Sequence, residues 1–167
     1  LWQNGMLNRF LTPDPPVSDG DAGDTPGVPS DAWQANVLMA DPSDLYLADT
    51  YSSAVFRSDI IRDEIGSVTF LDTLDGMGAN AWDVSEAQDG TVMAWTEEDG
   101  ATGLYDLYIA AQGGMAAPSN CNDLFSGYRN ARSISFNGAL HTDNTQSMVE
   151  MFNFCQQITQ LDLSGWN

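Results

Sequence analysis

Three stretches between residues 67 and 111 gather β-branched and aromatic residues between turn formers: "SVTFLDTL" (67–74), "TVMAWTE" (91–97) and "LYDLYIAA" (104–111). Side chains of this kind suit a pleated, half-buried surface, and the bounding Gly, Asp and Asn end each run, so all three are predicted to be strands. Between the last two, "EEDGATG" places Gly100 and Gly103 where a tight connection needs positive φ. An antiparallel hairpin over 91–111 follows, with Trp82, Trp95 and Tyr105 helping to cover one face.

Further along, the apolar positions recur at a fixed distance. With "LFSGYRNARSISFNGAL" set on "MFNFCQQITQLDLSGWN", Phe125 falls on Phe152, Tyr128 on Cys155, Ala131 on Ile158, Ile134 on Leu161 and Phe136 on Leu163, always 27 residues apart. A degenerate third copy lies upstream in "VFRSDIIRDEIGSVTFLDTL", carrying Phe56, Val68 and Phe70 with three extra residues. Self-similarity at such a period predicts stacked coils, because one coil cannot bury its apolar face alone. In "ITQLDLS", Leu161 and Leu163 would point inward while Gln160, Asp162 and Ser164 point outward. Met148, Met151 and Phe152 keep helical spacing, which predicts a short helix across the convex side. The expected fold class is therefore α/β: a solenoid of short parallel strands and convex short helices over 115–167, preceded by a β-rich capping region with a hairpin over 32–114.

Residues 12–31, "TPDPPVSDGDAGDTPGVPSD", offer almost nothing to a core and read as a disordered linker, so 1–31 forms a separate N-terminal segment. Asp19, Asp21 and Asp24 invite a calcium reading, but the Gly, the bidentate Glu and the flanking helices of an EF-hand loop are missing from the pattern. No metal ligand set and no cofactor is expected. The chain has 24 acidic residues against five Arg and no Lys, for a formal charge of -19 over 167 residues. Such a surface repels phosphate backbones and anionic lipids, so neither nucleic acid nor membrane insertion is expected. No run of about eighteen apolar residues is present.

Candidate chemistry is sparse. His141 is the only histidine, and the sequence has no zinc-protease motif, phosphate-binding loop or nucleophile elbow. A triad would have to recruit His141 from a connector beside Asp143, where a polar turn residue is the plainer account, so no catalytic residue is assigned and the chain is expected not to be an enzyme. Cys121 and Cys155 allow one disulfide at most.

The segment "MVEMFNFCQQITQLDLSGWN" (148–167) resembles the BspA-like leucine-rich repeat surface proteins, whose units read approximately M-x-x-M-F-x-x-C-x-x-L-x-x-L-D-L-S-x-W/F-D-T-S-N-V. Ile158 replaces the first Leu and Asn167 the Asp; "HTDNTQSM" is similar to the D-T-S-N-V-T-x-M connection but departs from it at His141 and Thr145. Residues 81–114 also look like the segment that commonly precedes such repeats. The resemblance implies an extracellular or surface-anchored bacterial adhesion module that binds protein or glycan on a host or neighbouring cell. If the concave face of the repeats binds, the residues expected to do so are Ser133, Ser135 and Asn137 on one strand and Gln160, Asp162 and Ser164 on the next. Because the pattern stops on an open coil, the sequence is expected to be a fragment or to self-associate through its C-terminal repeat edge. The alternative expectation is a structural assembly protein, such as a fibre, filament or phage-tail component, whose edge is covered by another subunit.

Overall fold

The computed structural model describes residues 31–43 and 50–167. The linker, the "DGDAGD" segment and the opening eleven residues lie outside the described residues, apart from Asp31. Strands form where β-branched and aromatic residues cluster: β1 (Ile65–Leu71), β3 (Met93–Glu98) and β4 (Tyr105–Ala110). Shorter pieces are β2 (Trp82–Asp83), β5 (Met115–Ala116), β6 (Ile134–Ser135) and β7 (Leu140–His141).

Five of these make one mixed sheet in the order β2-β3-β4-β1-β6. The hairpin expected over 91–111 is present, in the register Met93↔Ala110 to Glu98↔Tyr105. Of its two loop glycines, Gly103 takes positive φ, at +72°, and Gly100 does not. Strand β1 runs parallel to β4 on one side and to β6 on the other, with Val68 opposite both Leu107 and Ile134. Side chains facing each other across these ladders share a side. Val68, Phe70, Leu107, Ile109, Ala94 and Ile134 are thus buried on the inner face of the sheet. The aromatic residues expected on one face are divided. Trp82 lies opposite Ala94 on the inner side, whereas Trp95 stacks on Tyr108 on the other, with centroids 5.3 Å apart.

The solenoid expectation is overturned. The described residues form a five-stranded mixed sheet and a two-stranded parallel sheet, β5-β7, and their helical turns are 3-10 segments of three or four residues. The convex helix expected around Met148–Phe152 is a run of turns. Glu150 and Phe154 adopt φ of +55° and +59°, and left-handed residues four apart cannot propagate a right-handed helix. Leu161 sits on irregular backbone and is not paired with Ile134, and Leu163, expected inward, is 41% exposed. The longest pairings run instead between β1, β3 and β4, where six-residue registers form, and β6 contributes only two residues.

The 27-residue relation nevertheless has a local counterpart. The N–H groups of Cys121, Asp123, Phe125 and Gly127 donate to the carbonyls of Ser147, Val149, Met151 and Asn153 at 2.8–3.0 Å. Phe125 lies 5.8 Å from Phe152 with nearly parallel rings, and also meets Phe70 and Phe136. Two layers of turns therefore pack in register, continuous with the core at the β1-β6 end of the sheet. That core also runs across the boundary expected between 114 and 115.

A buried arginine ties these parts together. Arg62, fully buried, donates from Nη1 to the carbonyls of Asp123 and Ser126 and from Nη2 to the carbonyl of Asp41. The Asp41 carboxylate lies 3.3 Å from Nη2 and accepts the Phe56 N–H. Burial pushes the Asp41 carboxyl up to about 6; Arg62 and the Phe56 N–H pull it the other way without cancelling that effect.

Candidate binding cleft

β6 is the last strand of the large sheet, and the chain returns past it over residues 160–166. Between the two lies an open cleft of about 530 Å³. All six residues singled out in the sequence line it: Ser133, Ser135 and Asn137 from the β6 side, and Gln160, Asp162 and Ser164 from the returning segment. The structure brings them together not on the concave face of a solenoid but across the gap between a sheet edge and an irregular strand-like return. The reason is the alternation around Ile134 and Phe136, which are buried and turn their neighbours outward.

Two of these residues are fixed locally. Asn137, with φ at +52°, donates from Nδ2 to the carbonyl of Phe70 at 2.9 Å, which joins the cleft wall to β1. Asp162 Oδ1 accepts the Ser164 N–H at 3.0 Å, and hydrogen bonds from Ser164 hold the Asp162 carboxyl below the usual range, so it is ionised at neutral pH. The remaining lining includes Phe136, Leu140, His141 and Trp166. Trp166 packs edge-on to Phe136 at 4.7 Å and nearly parallel to Phe152 at 6.4 Å. His141 is not a turn residue but part of β7; its ring stacks on Trp33 at 4.2 Å. Burial lowers its pKa, opposed by Asp143, so the ring is neutral at pH 7.

The alternation around Ile134 and Leu161 makes the six polar lining residues legible in the sequence, whereas the aromatic wall is not. Phe136 matches Leu163 in the 27-residue pattern and so reads as core, and nothing in the pattern gives Trp166 a role. Ser164 and Gly165 form a turn, with Gly165 at a φ of +84° and the Trp166 N–H donating to the Leu163 carbonyl, so strand alternation gives no signal for where Trp166 points. Cys121 and Cys155 are both free thiols. Cys155 Sγ donates to the carbonyl of Phe125, and burial pushes its thiol up to about 11. Among the described residues no cluster of three or more His, Cys, Asp or Glu has the arrangement of a metal site, and no helix is long and apolar enough to cross a membrane. Compared with protein-family models, curated proteins and solved structures, the chain matches none.

Proposed function

We propose that this chain is a recognition module that works without catalysis and binds a macromolecular partner, protein or glycan, through the cleft between β6 and residues 160–166. The observation that carries the reading is the convergence of six outward polar side chains on one cleft backed by Phe136 and Trp166. Concave sites with aromatic walls and a few placed polar groups are the usual form of binding sites. The resemblance of residues 148–167 to the BspA-like repeat motif supports a place at the surface of a bacterial cell or in its surroundings, where the partner would be a host or neighbouring-cell component. The -19 charge argues against nucleic acid and anionic membranes as partners. The test is binding of fluorescently labelled chain to cultured epithelial cells and to bacterial cells. Alanine at Ser135, Gln160 and Asp162 together should weaken it at unchanged melting temperature, and undiminished binding by that variant sinks the proposal.

A second reading, assembly with further subunits, is favoured by one specific feature. In the upper layer of turns, the N–H groups at 121, 123, 125 and 127 are filled by the layer below. Their counterparts at Met148, Glu150, Phe152 and Phe154 have no acceptor among the described residues, and Val149 and Phe154 beside them are 60% and 46% exposed. A row of unpaired donors flanked by apolar side chains is an edge on which another chain can add. Light scattering over a concentration series distinguishes the readings: a mass that stays monomeric refutes assembly, and concentration-dependent growth supports it.

A further inference from the structure

We infer that the ligand of the cleft is a neutral carbohydrate chain, seated with a sugar ring against Trp166 and its hydroxyls between the two polar walls. This rests on the recognition reading proposed above and names its ligand class.

The argument begins with the kind of groups on the walls. Serine hydroxyls and the Asn and Gln amides can each both donate and accept hydrogen bonds, as sugar hydroxyls can. They stand on two facing walls: Ser133, Ser135 and Asn137 against Gln160, Asp162 and Ser164. Asn137 spends an N–H on the Phe70 carbonyl, and its Oδ1 accepts nothing among the described residues. Asp162 accepts the Ser164 N–H on Oδ1 and is also engaged by the Ser164 hydroxyl, which orients the carboxylate while lone pairs remain to accept from a ligand. A polyol can satisfy such a mixed set, whereas an apolar ligand would bury it unpaired.

The aromatic side supplies what the polar walls lack. A sugar ring has an apolar C–H face, and a flat aromatic surface at the edge of a polar cleft gives it a place to pack. The Trp166 ring is held by Phe136 and Phe152, so little side-chain entropy remains to be lost on binding.

Charge separates this ligand from its rivals. No Arg lines the cleft and His141 is neutral at pH 7, so a phosphate, sulfate or uronate would meet Asp162 with no cation to offset it. A cationic peptide is the strongest competitor, drawn by the overall charge, but the cleft itself presents one carboxylate and otherwise neutral groups. Its volume of about 530 Å³ also falls within the ~300–1,000 Å³ typical of small-ligand sites. Protein partners more often take flatter surfaces burying about 800 Å² on each side.

The experiment uses the whole chain, titrated with cellohexaose, the hexamer of N-acetylglucosamine and mannohexaose as neutral probes, with polylysine as the cationic one. Tryptophan fluorescence and saturation-transfer NMR report binding. At least one hexasaccharide is expected to bind, with affinity reduced about tenfold or more in both Trp166→Ala and Asp162→Asn, and unchanged when sodium chloride is raised from about 50 to about 500 mM, because a neutral ligand is not screened. Asp162→Asn keeps the test valid should Trp166→Ala fail to fold. Failure of all three sugars, or binding that survives in both variants, overturns the inference. Polylysine binding that disappears in Asp162→Asn and in salt, with no sugar binding, also overturns it but leaves the recognition reading standing. Loss of neither sugar nor cell binding on changing the cleft ends both.

Discussion

Replacing Arg62 by Met should be among the most damaging single changes in the described fold, and its cost should depend on pH. The side chain is fully buried and its guanidinium holds three backbone carbonyls, those of Asp41, Asp123 and Ser126, as well as the Asp41 carboxylate. Methionine fills similar space but leaves the carbonyls without their donor and the carboxylate without its counter-charge. Removing one partner of a buried ion pair costs about 3–5 kcal/mol, a large share of the roughly 5–15 kcal/mol that a domain has. The pH dependence follows from Asp41, whose carboxyl is raised from 3.8 to about 6 in the folded chain. A raised acid contributes stability that is fully present below its unfolded pKa and is lost as pH rises through its folded pKa, here roughly 3 kcal/mol between about pH 4 and pH 6. At pH 5 the carboxyl is already mostly protonated with Arg62 in place, so little ion pair is lost there; at pH 7 the intact chain holds a carboxylate opposite Arg62, and the variant must bury that charge unpaired or keep it protonated. Urea unfolding followed by tryptophan fluorescence should show Arg62→Met losing about 4 kcal/mol at pH 7 and about 1–2 kcal/mol less at pH 5. Adding Asp41→Asn should recover some of the loss at pH 7. A loss below about 1 kcal/mol at pH 7, or equal losses at both pH values, would refute the clasp and reduce Arg62 to filler.

Other expectations are simpler to check. Phe125→Ala removes a fully buried ring that touches four other aromatic rings and should cost about 3–5 kcal/mol by chemical denaturation, whereas Phe152→Ala, half-buried, should cost clearly less. Gly127→Ala places a Cβ 2.8 Å from the Thr50 carbonyl oxygen at a φ of +81°, so a drop in melting temperature larger than for a typical surface change is expected; a silent substitution would contradict that packing. Cys155 should react with a thiol reagent at neutral pH far more slowly in folded than in urea-unfolded chain, since its thiol is pushed up to about 11.

The residues that show how far sequence reasoning reaches are Ile134, Leu161 and Trp82. Period-2 alternation around Ile134 was readable, and it turned Ser133, Ser135 and Asn137 outward wherever the strand was placed. The alternation around Leu161 was equally readable, yet Leu161 pairs with nothing: pairing depends on distance to a partner strand, which no local pattern encodes. Trp82 shares the strand-like setting of Trp95 but faces the opposite side, because its two-residue strand enters the sheet opposite Ala94 rather than Trp95.

By itself, the sequence determined which segments become the hairpin, which side chains alternate, and that Phe125 and Phe152 are equivalent, because those properties are local or depend only on spacing. Tertiary structure alone decided that β1 lies between β4 and β6, that a polar wall and Trp166 meet across one cleft, and that Arg62 is buried against carbonyls from two distant segments. Those outcomes come from competition among non-local pairings, in which the long registers of β1, β3 and β4 prevail over two-residue strands. Burial of a charge such as Arg62 is settled only once the surrounding chain has closed over it and supplied its acceptors.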